Sequence, residues 1–250
     1  MDAAAFLRAA EALPGTDDPR AVLGPGGALV LAPHPDDESI GCGGLIAAAA
    51  AAGLPVRVVV VSDGTGSHPG VAPDRLRAVR ETETLAAAAA LGLPPDAVRF
   101  LRLRDTAVPE AGPAFDRAVA AVLALAAPPP GAILCTWRHD PHGDHRASFA
   151  LAAAVVRRLP GTRLLAYPVW GWAYAYPLPG FPLPGSADLS GPPRGHRFGI
   201  AAVLEAKRRA IAAHRSQHSD TLGDPGAFQL PPAALALAAR DFEVLLEETP

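Results

Sequence analysis

Apolar residues along the chain gather into short unbroken runs, each closed by Gly, Pro or a knot of polar residues. Between the runs lie longer alanine-rich stretches with scattered charges. A run of roughly four to eight apolar residues without polar alternation is what a strand buried on both faces requires. Five segments have that form: 28–32 (ALVLA), 56–62 (VRVVVVS), 98–103 (VRFLRL), 132–137 (AILCTW) and 163–170 (RLLAYPVW). The stretches between them predict helices over 42–52, 74–91, 114–127 and 146–159. Gly53 to Pro55 stop the first helix, and Asp74 is placed to cap the second, which Gly92 and Pro94 end. Pro128 to Pro130 end the third, and a final helix is expected over about 201–215. Strands alternating with helices predict an α/β fold with a mostly parallel sheet and helices on both faces. Residues 171–195 break the rhythm with Pro, Gly, Trp172, Tyr174 and Tyr176, and read as a long ordered loop with room for an edge strand. With no internal repeat, Gly/Ser linker or charge block, residues 1–250 are expected to form one domain.

Composition narrows the function classes. Half of the residues are apolar, enough for a full core, and a net charge of −3 gives no reason to expect a nucleic-acid partner. The first ten residues include Asp2 and Arg8, so no secretory pattern is read there. Gly, Pro or Arg interrupts each apolar run well short of a membrane span. Two cysteines, Cys42 and Cys135, make no disulfide framework and are expected to be buried. The expected location is cytoplasmic.

Charge is scarce, yet it concentrates at two strand ends. His34, Asp36, Asp37 and Glu38 follow the run 28–32, and "RHDPHGDH" (138–145) follows the run 132–137. Three of the chain's eight histidines fall in that second stretch. Sites in parallel sheets form at carboxyl ends of strands, near a reversal of strand order. If these two strands are neighbours, His34, Asp36, Asp37, His142, Asp144 and His145 converge on one cleft. Either stretch alone could be a capped helix start or a solvated loop. Together they point to a metal, because imidazole and carboxylate are ligands for zinc and other first-row ions. Gly41, Gly43 and Gly44 suit close helix packing; a dinucleotide G-x-G-x-x-G would need glycine at 46, where Ile46 stands.

"APHPDDE" followed by a glycine-containing helix start and then an H-x-D-H loop resembles the PIG-L or LmbE-like family of metal-dependent de-N-acetylases. That family includes N-acetylglucosaminyl-phosphatidylinositol deacetylase and the deacetylases of the mycothiol and bacillithiol pathways. "RAVRETETLAAAAALGL" (77–93) is similar to the family's R-x-x-E helix, with Arg80 and Glu83 at the matching places, and "KRRAIAAHRSQ" (207–217) to its helix ending in Ser-Gln. The resemblance covers about residues 28–217. It implies a Rossmann-like three-layer fold and a Zn2+ site made by His34, Asp37 and His145, with Fe2+ or another divalent ion open. It implies Asp36 as general base, His142 as electrophile or acid, and Asp144 as the group that orients His142. It also implies a substrate-binding role for Arg80, which by position alone could equally sit on a solvated helix face. Asp105, after the strand 98–103, either reaches a substrate hydroxyl from the same edge of the sheet or serves a turn. Three protein ligands leave a zinc position open for water, as catalytic sites require. The implied partner is a small N-acylated amino sugar or related conjugate.

Two other readings stay open at this point. Two histidines and one carboxylate also form the facial triad of non-haem iron oxygenases, and a relative could keep the fold as a non-catalytic binding module. Among the remaining polar residues, His68 reads as a solvated loop residue, and His214 and His218 as cations suited to a helix C-terminus. Trp170, Trp172, Tyr174 and Tyr176 either anchor the 171–195 loop or stack on a sugar, and that loop is expected to border the cleft.

Overall fold

The most apolar runs form the middle of the sheet. The structure, a computed structural model, describes residues 1–179, 181, 183–185 and 188–250. Gly180, Pro182, Ser186 and Ala187, four positions of the predicted 171–195 loop, lie outside the described residues. In chain order the elements are α1 (Ala3–Ala10), β1 (Gly15–Thr16), α2 (Pro19–Leu23), β2 (Ala28–Ala32), α3 (Asp37–Ala51), β3 (Val56–Ser62) and α4 (Pro73–Ala90). Then come β4 (Val98–Leu103), α5 (Gly112–Leu125), β5 (Ala132–Thr136), α6 (Gly143–Val156), β6 (Arg163–Tyr167) and α7 (Trp172–Ala175). The last are β7 (Gly195–Gly199), α8 (Leu204–Ala213), α9 (Pro232–Ala238) and β8 (Phe242–Glu248).

The described strands form one sheet in the order β1-β7-β8-β6-β5-β2-β3-β4. From β6 through β4 all neighbours are parallel, while β8 runs antiparallel to both β6 and β7. The chain starts this parallel block at β2, builds outward through β3 and β4, then returns to add β5 and β6 on the other side. The reversal of order therefore falls between β2 and β5, and a crevice opens at their carboxyl ends. Side chains alternate between two cores. Val30, Leu134 and Leu165 pack with α3 and α8 on one face, and Leu29, Leu31 and Ile133 pack with α1, α5 and α6 on the other.

Close packing fixes α3, whose first turn carries part of the polar cluster. A Cβ on Gly41 would lie 2.1 Å from the Tyr167 ring, and one on Gly44 would lie 2.4 Å from Ile200. The glycines thus serve helix packing, and Tyr167 donates its hydroxyl to the Leu31 carbonyl at 2.9 Å. The helix breaks at Cys42, whose φ of −143° is not helical. The restarted turn presents free N–H groups in the core. The Glu243 carboxylate accepts from Gly44 N at 2.7 Å and Leu45 N at 2.8 Å, and Lys207 Nζ pairs with it at 2.7 Å, all of them buried.

Several expectations need correction. Helix α4 begins with Pro73 at its first position and Ala72 as its cap, and no side chain caps it. Asp74 sits inside the first turn and accepts from Arg77 at 2.8 Å, so proline rather than an aspartate cap starts this helix. Helices α3 and α6 begin earlier than the apolar pattern suggests, because their polar first turns face the crevice. The strand expected to 170 ends at Tyr167, and 172–175 turns into a helix. The helix expected over 201–215 is α8, and it is followed by α9 and β8. Cys42 and Cys135 are free and buried.

Candidate active site

Two loops and two helix starts place the polar residues. His34 leaves β2, and Asp37 is the first residue of α3. Asp36 precedes it with φ 136° and ψ −27°, backbone angles that strain any residue but glycine. Its carboxylate makes no capping bond. The Asp36 N–H instead donates to Glu38 Oε2 at 3.2 Å. Across the reversal point, His142 caps α6 by accepting from Asp144 N at 3.2 Å, and His145 lies in the first turn of that helix.

Three donor atoms form a tight triangle. Asp37 Oδ2 lies 3.1 Å from His34 Nδ1 and 3.2 Å from His145 Nε2, and the two nitrogens are 3.3 Å apart. A tetrahedral zinc with Zn–N and Zn–O distances of about 2.0–2.1 Å needs ligand atoms roughly 3.3 Å apart, so the trio fits such an ion. Wider groupings share the same residue: donor atoms of His34, His142 and His145 lie within 4.8 Å of one another, as do those of His34, Asp105 and Asp144. The triangle of His34, Asp37 and His145 has all three edges between 3.1 and 3.3 Å, and its histidines are backed as metal ligands usually are. The far nitrogen of His34 faces Asp105 Oδ1 at 3.2 Å and Asp144 Oδ2 at 3.3 Å. The far nitrogen of His145 faces Asp140 Oδ1 at 3.2 Å. A carboxylate behind each imidazole fixes the ring and its tautomer. Asp140 is itself fully buried, with its other oxygen accepting from Val169 N and Gly171 N, both at 3.0 Å.

The electrostatics follow from this crowding. Burial works against protonated imidazoles here, yet facing carboxylates win. His34 is raised well above its ordinary value by Asp105, Asp144 and Asp37, and His145 is pushed up to about 9 by Asp37 and Asp140. Burial also opposes ionisation of Asp37, which His145 and His34 nevertheless hold well below the usual carboxylate range. Asp36 is pushed up to about 7, chiefly by burial and further by Asp37, with Arg80 pulling the other way. His142 is lowered to about 4 by burial and by the neighbouring His34 and His145.

Not every expected site residue has the expected partner. Asp144 does hold His142, but through its backbone N–H. Its carboxylate accepts from Thr106 N at 2.7 Å and Val108 N at 3.1 Å and faces His34. Arg80 lines the cavity but is buried and engaged by protein groups. It donates to Pro35 O at 2.7 Å, Gly64 O at 2.9 Å and Ser67 Oγ at 3.3 Å, and lies 3.4 Å from Asp36 Oδ2. Asp105 also lines the cavity, but its partners are His34 and the Gly66 N–H, at 2.8 Å, rather than an open hydroxyl site.

His68 is buried beside Ser67 rather than solvated. His218 Nε2 lies 3.3 Å from the Ala212 carbonyl at the end of α8. His214 ends the same helix but is buried, with Nε2 3.1 Å from both Glu38 Oε1 and Ser39 Oγ. Sequence reasoning missed this His214–Glu38 pair and Asp140, and only the second had a signal, lying between two histidines of the 138–145 stretch. The two weaker motifs also meet: Glu83 accepts from Ser216 N at 2.8 Å and from its hydroxyl at 2.7 Å.

The cavity, of about 190 Å³, reaches from His34, Asp36, Asp37 and His142 past Gln217 to Trp170, Phe181 and Phe228. The other aromatic residues of the 171–195 region serve as anchors. Arg240 lies over Trp172 at 4.2 Å from its centroid, and Tyr176 donates its hydroxyl to Glu11 at 2.7 Å.

Residues 29–156 match the family model PIG-L, described as GlcNAc-PI de-N-acetylase. No curated protein matches the chain. Among solved structures it is similar to the N,N'-diacetylchitobiose deacetylase of Pyrococcus horikoshii, at 24% identity over 81% of this chain and 74% of the other, with a TM-score of 0.58. It is also similar to the conserved protein TT1542 of Thermus thermophilus, at 27% identity over 76% of this chain and 79% of that one, with a TM-score of 0.55. The same fold occurs in GalB, the 4-carboxy-2-hydroxymuconate hydratase of Pseudomonas putida KT2440, at 21% identity over 75% and 78% of the two chains, with a TM-score of 0.52. Fold alone therefore does not fix the reaction.

Proposed function

The chain belongs to the PIG-L family of metal-dependent de-N-acetylases, and from that premise we propose that it is a zinc-dependent hydrolase, active as one domain in the cytoplasm, that removes an N-acetyl group from an amino sugar or related conjugate. The observation that carries this reading is the donor triangle of His34, Asp37 and His145, backed by carboxylates, with an unspent carboxylate and a second imidazole beside it. His34 Nδ1, Asp37 Oδ2 and His145 Nε2 would hold the ion. When bound, the ion would polarise the amide carbonyl and acidify a water.

The remaining work falls to side chains of this chain. Asp36 lies next to the ligands without being one, and its oxygens are free of helix capping. It takes the proton of the attacking water, and a dication bound beside it would favour its ionised form. His142 accepts from a backbone N–H at Nδ1 and so carries its own proton at Nε2. That N–H stabilises the negative charge developing on the carbonyl oxygen, and the proton that Asp36 takes from the water passes to the departing amine as the C–N bond breaks. Asp144 positions His142 through its N–H, and its carboxylate stands behind His34. Arg80 holds the Asp36 loop by its Pro35 carbonyl, a positioning role in place of the expected substrate contact. Asp105 likewise orients His34.

The reading is tested by amine release from a panel of N-acetylated amino sugars. Zinc-loaded protein should yield amine and acetate in equal amounts, and chelated protein neither. Oxygen uptake without amine would favour the iron-oxygenase reading instead.

The charged state of the ligands adds a pH prediction. With His34 and His145 both raised, the metal-free protein carries two imidazolium ions near pH 7, and each must lose its proton when the ion binds. Affinity should fall as pH falls, by up to about 100-fold per pH unit where two protons are displaced. Calorimetry in buffers of different ionisation enthalpy should detect release of about two protons per zinc from the imidazoles at pH 7, with a further fraction from Asp36. A zinc affinity unchanged between pH 6 and pH 8 would contradict these ligands.

A further inference from the structure

The cavity's lining says what the rest of the substrate is made of. One wall is an aromatic cluster. The Trp170 and Phe181 rings stack with centroids 4.8 Å apart and 16° between planes, and Phe228 meets Trp170 edge-on at 5.7 Å and 74°. Ile40 and Leu230 continue this wall. It is held in place by backbone: Phe228 N donates to Ser67 O at 2.8 Å, and Leu230 N to Gln217 O at 2.7 Å. The wall also runs to the surface, since Phe228 is 42% exposed and among the few large apolar residues left open to solvent in the described chain. A preformed apolar wall opening from a polar site to solvent is a surface for a substrate group.

Charge points the same way. Among the described residues lining the cavity, the one Lys or Arg side chain is Arg80. It is 3% exposed, with its terminal nitrogens donating to two backbone carbonyls and a hydroxyl. The four positions outside the description are Gly, Pro, Ser and Ala, which add no cation. Three carboxylates, Asp36, Asp37 and Asp105, share the same lining. Away from the ion's own site, a phosphate or carboxylate on the substrate would find no unengaged Lys or Arg in this described lining and would meet Asp36 and Asp105.

Building on the de-N-acetylase reading, we propose that the substrate is an N-acetylated amino sugar bearing an uncharged apolar aglycone, which lies against Trp170, Phe181 and Phe228. The aglycone, rather than the acyl group, takes this wall because the wall ends at the surface, where a group extending away from the sugar must go. Nothing in the lining selects for a phosphorylated conjugate.

The test compares four probes with the zinc-loaded full chain, by amine release: p-nitrophenyl N-acetyl-β-glucosaminide, free N-acetylglucosamine, N-acetylglucosamine 1-phosphate and N-octanoylglucosamine. The aryl glycoside should exceed the free sugar by about tenfold or more in kcat/KM, from the apolar area it buries, and the phosphate should fall below the free sugar. In Phe228→Ala and Phe181→Ala the aryl-to-free ratio should drop toward one, whatever happens to the absolute rates. Equal use of aryl and free sugar, best use of the phosphate, or a preference for the long acyl chain without one for the aryl group each overturns this proposal while leaving de-N-acylation standing. Amine from none of the four overturns the underlying reading, and this proposal with it.

Discussion

Asp36→Asn should keep its zinc and lose most turnover, with kcat lower by about 10²–10⁴-fold, the usual contribution of a positioned general base. The amide is nearly isosteric and can still accept from Arg80, so the loop should stay in place; what it cannot do is take a proton from water. The backbone of Asp36 argues for such a role. A φ of 136° costs about 1–3 kcal/mol and persists where surroundings enforce it. Here the enforcing groups are Glu38, which accepts the Asp36 N–H, and Arg80, which grips the preceding carbonyl. Behind Glu38 stand Ser39 and His214. Asp37→Asn should do the opposite and weaken zinc binding, because it replaces a charged corner of the triangle. Zinc stoichiometry and amine release measured on both variants separate the roles. Loss of zinc from Asp36→Asn with retention by Asp37→Asn would exchange ligand and base.

Lys207→Met should destabilise the fold by about 3–5 kcal/mol, the cost of leaving one member of a buried ion pair without its partner. The carboxylate left behind, Glu243, would keep its bonds to Gly44 N and Leu45 N but lose its only cation within ion-pair distance among the described residues. Adding Glu243→Gln to that variant should recover part of the loss, since the stranded charge disappears while one amide oxygen can still accept from the restarted helix. Denaturant unfolding of wild type, single and double variants measures this directly. A single variant within about 1 kcal/mol of wild type would mean that the pair does not hold the break in α3.

How much of this was legible in the sequence depended on whether burial or spacing carried the signal. Strands β2, β3 and β4 have the bounds expected from their apolar runs, because parallel strands covered on both faces tolerate few polar residues. Helix α1 and the closing α9 escaped notice in an alanine-rich chain where apolar periodicity has little contrast. Strand β8 follows no strand–helix rhythm; it inserts antiparallel between β6 and β7, a pairing set by tertiary contacts. The six residues of the two strand-end motifs were visible because a hydrophobic chain concentrates charge only for a reason, and β2 and β5 are indeed neighbours. Asp140 and Glu38 were not assigned roles and His214 was read only as a helix C-terminal cation, since what matters in each is a buried partner far along the chain or across the sheet. Arg80 and Asp105 show the converse. Their positions at the cavity were foreseen, but their partners turned out to be protein groups.

The central claim is that one divalent ion sits at the triangle of His34, Asp37 and His145, and a crystal of the zinc-loaded protein measured at the zinc absorption edge tests it most directly. The account predicts a single anomalous peak about 2.0–2.2 Å from His34 Nδ1, Asp37 Oδ2 and His145 Nε2, with Asp36 outside the coordination shell. A peak among His34, Asp105 and Asp144 instead, or none at saturating zinc, would contradict it.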